Sequence, residues 1–442
     1  MKTNGQREVP IRMKKRRILS LFLAGLMLVG LAGYSSQVGA DSEPVKFTLW
    51  HSYVGADMRA PFMDEILKKF SAEYPDIKIV EEQIPRDQYQ TKLKTLAAAG
   101  QLPDAFVLWP NAMTQEFAKA GLLADINDLL EQNPDWKNSF VAPALKEFTV
   151  GGKTYSAGIG VSVTSIVYYN KALFAKYKLA YPKTYKQLLN VVKVFKKNGV
   201  IPISLGNKPK WPAQSTIFSL MANRRTGSEW LDNVLSKKGA KFTDKQFVAA
   251  LKDLKTLTDL GAFNKDYNSL DNVQMRDYFY RGQAAMMIDG SWALTDMISK
   301  APDALKKNIE MGVLPAFEGG KGDPNVMSGV SATGIVVSAK ASPKQKEAIK
   351  KLIKFVTDKN AQQLYVKSSI PVSFKNVDID PGKVDPLFAK LVDLIKKHPF
   401  VTVYDSALNS EQTEIINNGL QAVMMGMQKP EDLAKQLQAA VK

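Results

Sequence analysis

The chain has 442 residues, 45% hydrophobic and 23% charged, a balance that supports more than one apolar core and excludes a disordered or fibrous protein. It contains no cysteine and only two histidines, which excludes disulfides and cysteine nucleophiles and leaves metal chemistry poorly supplied. The formal charge is +17, but lysines such as Lys344, Lys346, Lys350, Lys351 and Lys354 are dispersed over helix faces without a nucleic-acid motif, so the charge reads as attraction to an anionic cell envelope or as solubility.

The first forty residues stand apart. Lys14-Lys15-Arg16-Arg17 precedes an apolar run from Ile18 to Ala32, after which small and polar residues return; this is the pattern of a secretory signal peptide over residues 1–40. The run is shorter than the roughly 20 residues of a membrane-spanning helix, so the expectation is an exported chain, extracellular or envelope-associated, without a transmembrane anchor. Leu31-Ala32-Gly33 resembles the start of a lipobox, but Tyr34 stands where the lipid-bearing cysteine belongs. Val38-Gly39-Ala40 suits an ordinary signal peptidase and places the mature start near Asp41. Loss of residues 1–40, with their seven Lys/Arg and one Glu, lowers the charge to +11.

From Val45 the pattern alternates. A strand with Val45, Phe47 and Leu49 is followed by a helix whose inner face is Phe62, Met63, Ile66, Leu67 and Phe70, then by a strand at Ile77–Val80. A helix over Tyr89–Ala99 stops at Gly100, and Ala105–Leu108 reads as a buried strand ending at Trp109-Pro110. This is an α/β sheet, in which ligands sit beyond the carboxyl ends of the strands, so Trp50-His51-Ser52 and Trp109-Pro110-Asn111 are both expected to face one crevice. Val163–Tyr169 opens a second, more helical part that includes a helix with Phe247, Ala250, Leu251, Leu254 and Leu257 inward and Gly261 just past its end. Ile335-Val336-Val337 predicts a strand returning to the first sheet, and the segment from Asp385 onward predicts helices without strands. No internal repeat or linker is visible, so the domains are expected to be interwoven.

Aromatic side chains in loops, with amide, carboxylate and guanidinium groups nearby, suit the apolar faces and hydroxyl rims of sugars. Trp211 lies in Asn207-Lys208-Pro209-Lys210-Trp211-Pro212, where the flanking prolines argue against a helix and for a displayed indole. Trp292 follows Asp289-Gly290-Ser291, a turn-and-cap signature between the apolar run Ala284–Ile288 and a helix. Trp50 and Trp109, at strand ends, fit a ligand contact and core closure equally; Trp136 and Trp230 read as structural. His51 is either a ligand contact or a loop histidine with a backbone partner, and His398 carries no signal.

Gly152-Lys153-Thr154 mimics the tail of a phosphate loop, but Glu147 occupies the first glycine position, so a hairpin turn is the better account. Hydrolase elbows, zinc-protease motifs and dinucleotide fingerprints are absent from the sequence, and the Asp378/Asp380 pair lacks the rest of a calcium loop. No metal, cofactor or catalytic residue is therefore expected. The spacing of carboxylates is a spatial matter among 43 acidic residues, so a secreted carbohydrate-active enzyme stays open as a reading, as does a binding protein for a charged solute.

Four groups of residues then occur in order: Phe70 to Pro75-Asp76-Ile77; Ala97-Ala98-Ala99-Gly100-Gln101-Leu102-Pro103-Asp104; Gly121-Leu122-Leu123-Ala124-Asp125; and Gly152-Lys153-Thr154-Tyr155. Tyr168-Tyr169-Asn170-Lys171-Ala172-Leu173-Phe174, Gly290-Ser291-Trp292 and Gly312-Val313-Leu314-Pro315 follow. Over nearly the whole mature chain this string resembles the family 1 extracellular solute-binding proteins, the maltose-binding-protein-like sugar-binding subunits of ABC importers. The resemblance implies a type II periplasmic-binding-protein-like α/β fold of two lobes around a central cleft, with hinge crossovers near Gly160–Val163, Met311–Pro315 and Phe355–Asp358. The lobes would comprise 41–161 with 312–356, and 162–311 with 357–442. It further implies stacking of sugar on Trp109, Trp211 and Trp292, polar contacts from Asn111, Asn207, Asp289 and Asp405, and a monomer that hands an oligosaccharide to an ABC permease with no catalytic step and no nucleic-acid partner.

Overall fold

The computed structural model describes residues 43–441 apart from Ala56, Met58 and Asn376; the signal segment, Tyr34 and the Asp41 start lie outside the described residues. The strands Val45–His51, Ile77–Gln83 and Ala105–Leu108 run parallel, Gly334–Ser338 joins them antiparallel, and Leu123–Ala124, antiparallel to Gly334–Ser338, completes a five-stranded sheet. The first helix, Ala60–Glu73, buries Phe62, Met63, Ile66, Leu67 and Phe70, one helical stripe, against this sheet's core. The helix Arg86–Ala99 ends where Gly100 takes up the left-handed conformation.

A second sheet of four strands has the order Ile309–Gly312, Ile166–Asn170, Ala284–Asp289, Ile201–Ser204. Its strands are covered on both faces, as the alternation shows: Ile166 and Tyr168 point into one core, Val167 into another. The helix Lys245–Asp259 buries Phe247, Ala250, Leu251, Leu254 and Leu257, the face read from the sequence. Thr149–Val150 and Lys153–Thr154 form a hairpin whose two turn residues, Gly151 and Gly152, have φ of 58° and 79°; that geometry demands glycine and accounts for the false phosphate-loop signal.

The cores draw the crossovers differently from the expectation. The chain leaves the first core after Ile159 and enters the second region at Val163. It does not return near Met311–Pro315, because Leu314, Phe317 and Val326 belong to the second core. Buried Arg224 holds that loop there, donating to the carbonyls of Leu314 (3.0 Å), Pro324 (3.0 Å) and Val326 (2.8 Å). The return runs through the strand Met327–Ser331 into Ile335. Nor does the chain leave again at Phe355–Asp358: Ala361, Tyr365, Ile370 and Phe374 stay in the first core, with Tyr365 stacked on Phe62 at 3.9 Å between centroids. The final crossing lies between Phe374 and Leu387. The last segment also contains a short strand, Phe400–Val401, paired with Met327-Ser328, where only helices were expected.

Beneath the carboxyl end of Ala284–Asp289, Arg276 is buried with two carboxylates, its Nε 3.0 Å from Asp289 and Nη1 3.4 Å from Asp296. Removing one partner of a buried pair strands the others without water. Arg276→Met is expected to lower unfolding stability by about 3–5 kcal/mol, measured by urea denaturation; an unchanged midpoint would show the cluster to be dispensable.

Candidate functional site: an aromatic cleft between two cores

A cavity of about 370 Å³ opens between the cores, within the size range of small-molecule sites. Trp109, which leaves the strand Ala105–Leu108, lines it together with Trp211 and Trp292, which follow the second-sheet strands Ile201–Ser204 and Ala284–Asp289, and the Trp292 ring packs across against the first core. Trp211 and Trp292 meet edge to face, 5.9 Å apart at 65°. Among these indoles lies the guanidinium of Arg86, 4.1 Å from the Trp211 ring centre, 5.5 Å from Trp292 and 5.8 Å from Trp109. Such contacts are cation–π attractions, stronger as the cation is desolvated. Burial lowers the Arg86 pKa, with Asp405 the largest opposing influence. Asp405 itself lines the cavity; burial raises its pKa, offset by Arg86 and a hydrogen bond with Ser215.

The other expected contacts are elsewhere. Trp50 is not on the cavity wall: its indole lies under Lys92 at 4.4 Å, and the Tyr89 hydroxyl is 3.0 Å from its carbonyl oxygen. His51 is wholly buried. The Tyr53 N–H donates to its Nδ1 at 3.2 Å, so Nε2 carries the proton and donates to Glu81 at 2.7 Å. Asn111, with φ of 56°, is turned toward Glu147: its N–H donates to the Glu147 carbonyl at 2.6 Å and its side chain bonds the carboxyl group.

Asn207 and Asp289 hold the backbone beside the tryptophans. Buried Asn207 accepts from the Ala213 N–H at 3.0 Å and so fixes the start of the helical segment carrying Trp211. That segment exists despite its prolines. Pro212 adopts helical angles (φ −63°, ψ −45°) ahead of a π-helix over Ala213–Phe218, because a first-turn proline forfeits only an N–H that has no helical partner anyway. Asp289 accepts from Gly290 N–H at 2.8 Å, Asn272 at 3.0 Å and Arg276 at 3.0 Å, locking the turn that presents Trp292. A Cβ on Gly290 would come within 2.4 Å of the Trp292 ring, so only glycine lets the indole fold back over the turn.

Several wall residues escaped sequence reasoning, chief among them Arg59, Arg86, Asp87, Thr333 and Asn417. Arg86-Asp87 follows the strand Ile77–Gln83, so the strand-end rule applied to Trp50 and Trp109 covered it too; Arg59 and Thr333 are 274 residues apart and meet only in space, at 3.0 Å. The Trp211 Nε1 donates to Asp87 at 3.3 Å across the cleft. Two buried wall atoms, Trp292 Nε1 and Asn417 Oδ1, have no hydrogen-bond partner among the described residues, a deficit of about 1–3 kcal/mol each that a ligand hydroxyl can repair as acceptor or donor. No cluster of three or more His, Cys, Asp or Glu side chains suited to a metal occurs among the described residues, and no helix there is long and apolar enough to cross a membrane.

The family model for bacterial extracellular solute-binding proteins matches residues 55–363. The chain belongs to this family. The multiple sugar-binding protein of Streptococcus mutans is 26% identical over 371 residues, covering 83% of this chain and 84% of that protein. A structure solved in a study of xylan utilization by the thermophilic bacterium Caldanaerobius polysaccharolyticus superposes with a TM-score of 0.81 at 28% identity, covering 90% of this chain and all of the other. A chitin oligosaccharide binding protein gives the same TM-score at 24% identity, covering 89% and 98%, and shows the fold alone. The architecture is the two-lobe, type II fold of periplasmic sugar-binding proteins. The family consists of solute-binding proteins, not enzymes.

The Glu147 carboxyl, which accepts from the Ser331 N–H at 2.7 Å, is pushed up to about 7, chiefly by burial and against its hydrogen bonds to Ser331 and Asn111. A raised carboxyl favours the folded state fully below the ordinary glutamate range and loses that contribution as pH rises through its folded value. Between about pH 5 and pH 8, the native chain is expected to lose more Tm than the Glu147→Gln variant does; parallel Tm profiles would refute the assignment.

Proposed function

We propose that the chain captures an oligosaccharide in the cleft and delivers it to the permease of an ABC importer. The observation that carries this is the convergence of Trp109, Trp211 and Trp292, from segments following strands of both sheets, on one cavity. Indole faces suit the C–H faces of pyranose rings, while Arg86, Asp405, Trp292 Nε1 and Asn417 Oδ1 supply donors and acceptors for hydroxyls. The names of relatives, a multiple sugar-binding protein and a chitin oligosaccharide binding protein, point the same way.

In this reading the lobes are residues 44–159 with 332–374, and 163–331 with 387–441, a division taken from the cores. Ligand touching both lobes favours the closed arrangement by the contacts that only closure makes. The chain works outside the cytoplasm, as its family does, and no chemical step on the sugar is involved. Asn111, Asn207 and Asp289 position the wall, while Trp50 and His51 serve the first core.

Isothermal calorimetry against ladders from maltose to maltohexaose, xylobiose to xylohexaose and chitobiose to chitohexaose tests this, with each mixture assayed afterwards for cleavage. Saturable binding of at least one ladder with intact sugar is expected; hydrolysis would make the chain an enzyme, and silence throughout would favour a charged solute. Trp211→Ala is expected to weaken the bound ladder by about tenfold or more. An unaltered titration would remove Trp211 from the site.

A further inference from the structure

The cavity has a direction. Arg86, Gln90 and Lys94 line it from the helix Arg86–Ala99 at successive turns, so the wall runs about 12 Å from the tryptophans to Lys94 at 1.5 Å per residue. The facing helix, Ser410–Met424, contributes Ser410, Thr413 and Asn417. Its Asn417 end is the tryptophan end, because the neighbouring Asn418 accepts from Lys210, beside Trp211, at 2.7 Å. Ser410 therefore lies at the far end with Lys94. There Lys94 Nζ donates to Ser410 Oγ at 2.8 Å, and the same hydroxyl donates to Glu116 Oε2 at 2.6 Å. Lys94 and Glu116 belong to the first lobe and Ser410 to the second, so this hydrogen-bonded bar crosses between the lobes where the aromatic channel reaches solvent.

We propose that the Lys94–Ser410–Glu116 bar sets the length of chain the cleft accepts. The inference rests on the carbohydrate reading above and specifies its substrate class: short oligosaccharides whose rings stack from the tryptophans toward the bar. Longer chains must break the bar to pass between Lys94 and Ser410. The bar selects by obstruction: a chain that protrudes must part Lys94 from Ser410 or hold the cleft ajar, whereas a chain that fits inside lets the cleft close beneath an intact bar.

The test is calorimetry of the same three ladders against the native chain and the Lys94→Ala/Ser410→Ala double variant, with thermal unfolding of each ligand-free protein as the folding control. In the ladder that binds, the native chain is expected to lose affinity by about tenfold beyond a limiting length. The double variant is expected to recover about tenfold for those longer members while short members change by less than about threefold. An unchanged length profile in a folded variant, or an equal loss at every length, overturns the proposal, the latter because the bar would then only hold the cleft shut. Failure of the native chain to bind any ladder overturns the carbohydrate reading itself, and this inference with it.

Discussion

The buried pairing of Arg276 with Asp289 is the contact on which the cleft's second wall depends. It sits at the carboxyl end of a strand covered on both faces, where water cannot compensate either charge. By engaging one oxygen of Asp289, Arg276 leaves the other to hold the Gly290 N–H and Asn272. The turn is thereby fixed, Trp292 lies back over Gly290, Trp211 abuts Trp292, and Arg86 from the opposite lobe stacks on both. A wall made of large flat rings tolerates little rotation, so its precision derives from a buried ion pair that is not itself part of the cavity lining.

The interweaving of the lobes has the same logic. Three crossings tie the two lobes together, and Arg224 clamps the Leu314–Val326 loop to the second core so that the return path is confined to the strand Met327–Ser331 and the residues just after it. These residues also form cavity wall, with Val330, Ser331 and Thr333 all facing it. Cavity wall and the path between lobes thus share backbone, and Glu147 and Arg59, each bonded to this stretch, connect it to the first lobe. The shape of the wall and the geometry of the crossing are therefore coupled through covalent structure and not only through the interface.

Part of the cavity wall is legible in the residues: Trp211 and Trp292 sit in turns, where a large aromatic has few structural reasons to be, whereas Trp109 at its strand end fits core closure equally and, like Asp405, points to the wall only through the family resemblance. Asn207 and Asp289 lie next to the tryptophans, which made them look like ligand contacts, yet an amide or carboxylate beside a displayed indole can equally hold the backbone that displays it. Whether such a group faces the cavity or the turn is decided by side-chain rotamer and burial, about which spacing says nothing. Arg86 was overlooked because a lone arginine at a helix start looks like a solvated surface charge; only the approach of the other lobe makes it the centre of an aromatic cage.

The amino-acid pattern by itself determined the α/β alternation, the inward faces of the helices at Phe62–Phe70 and Phe247–Leu257 and the hairpin at Gly151-Gly152, because periodicity and turn chemistry act over a few residues; the family came from the resemblance of the ordered motifs from Phe70 to Pro315. Tertiary structure alone decided which residues share a wall. It carried 357–374 into the first core through the stacking of Tyr365 on Phe62, moved the return crossing to Met327–Ser331, and brought Lys94, Glu116 and Ser410 into one hydrogen-bonded bar. These choices are settled by packing between segments up to some three hundred positions apart, where the free energy belongs to the contact and leaves no trace in either segment alone.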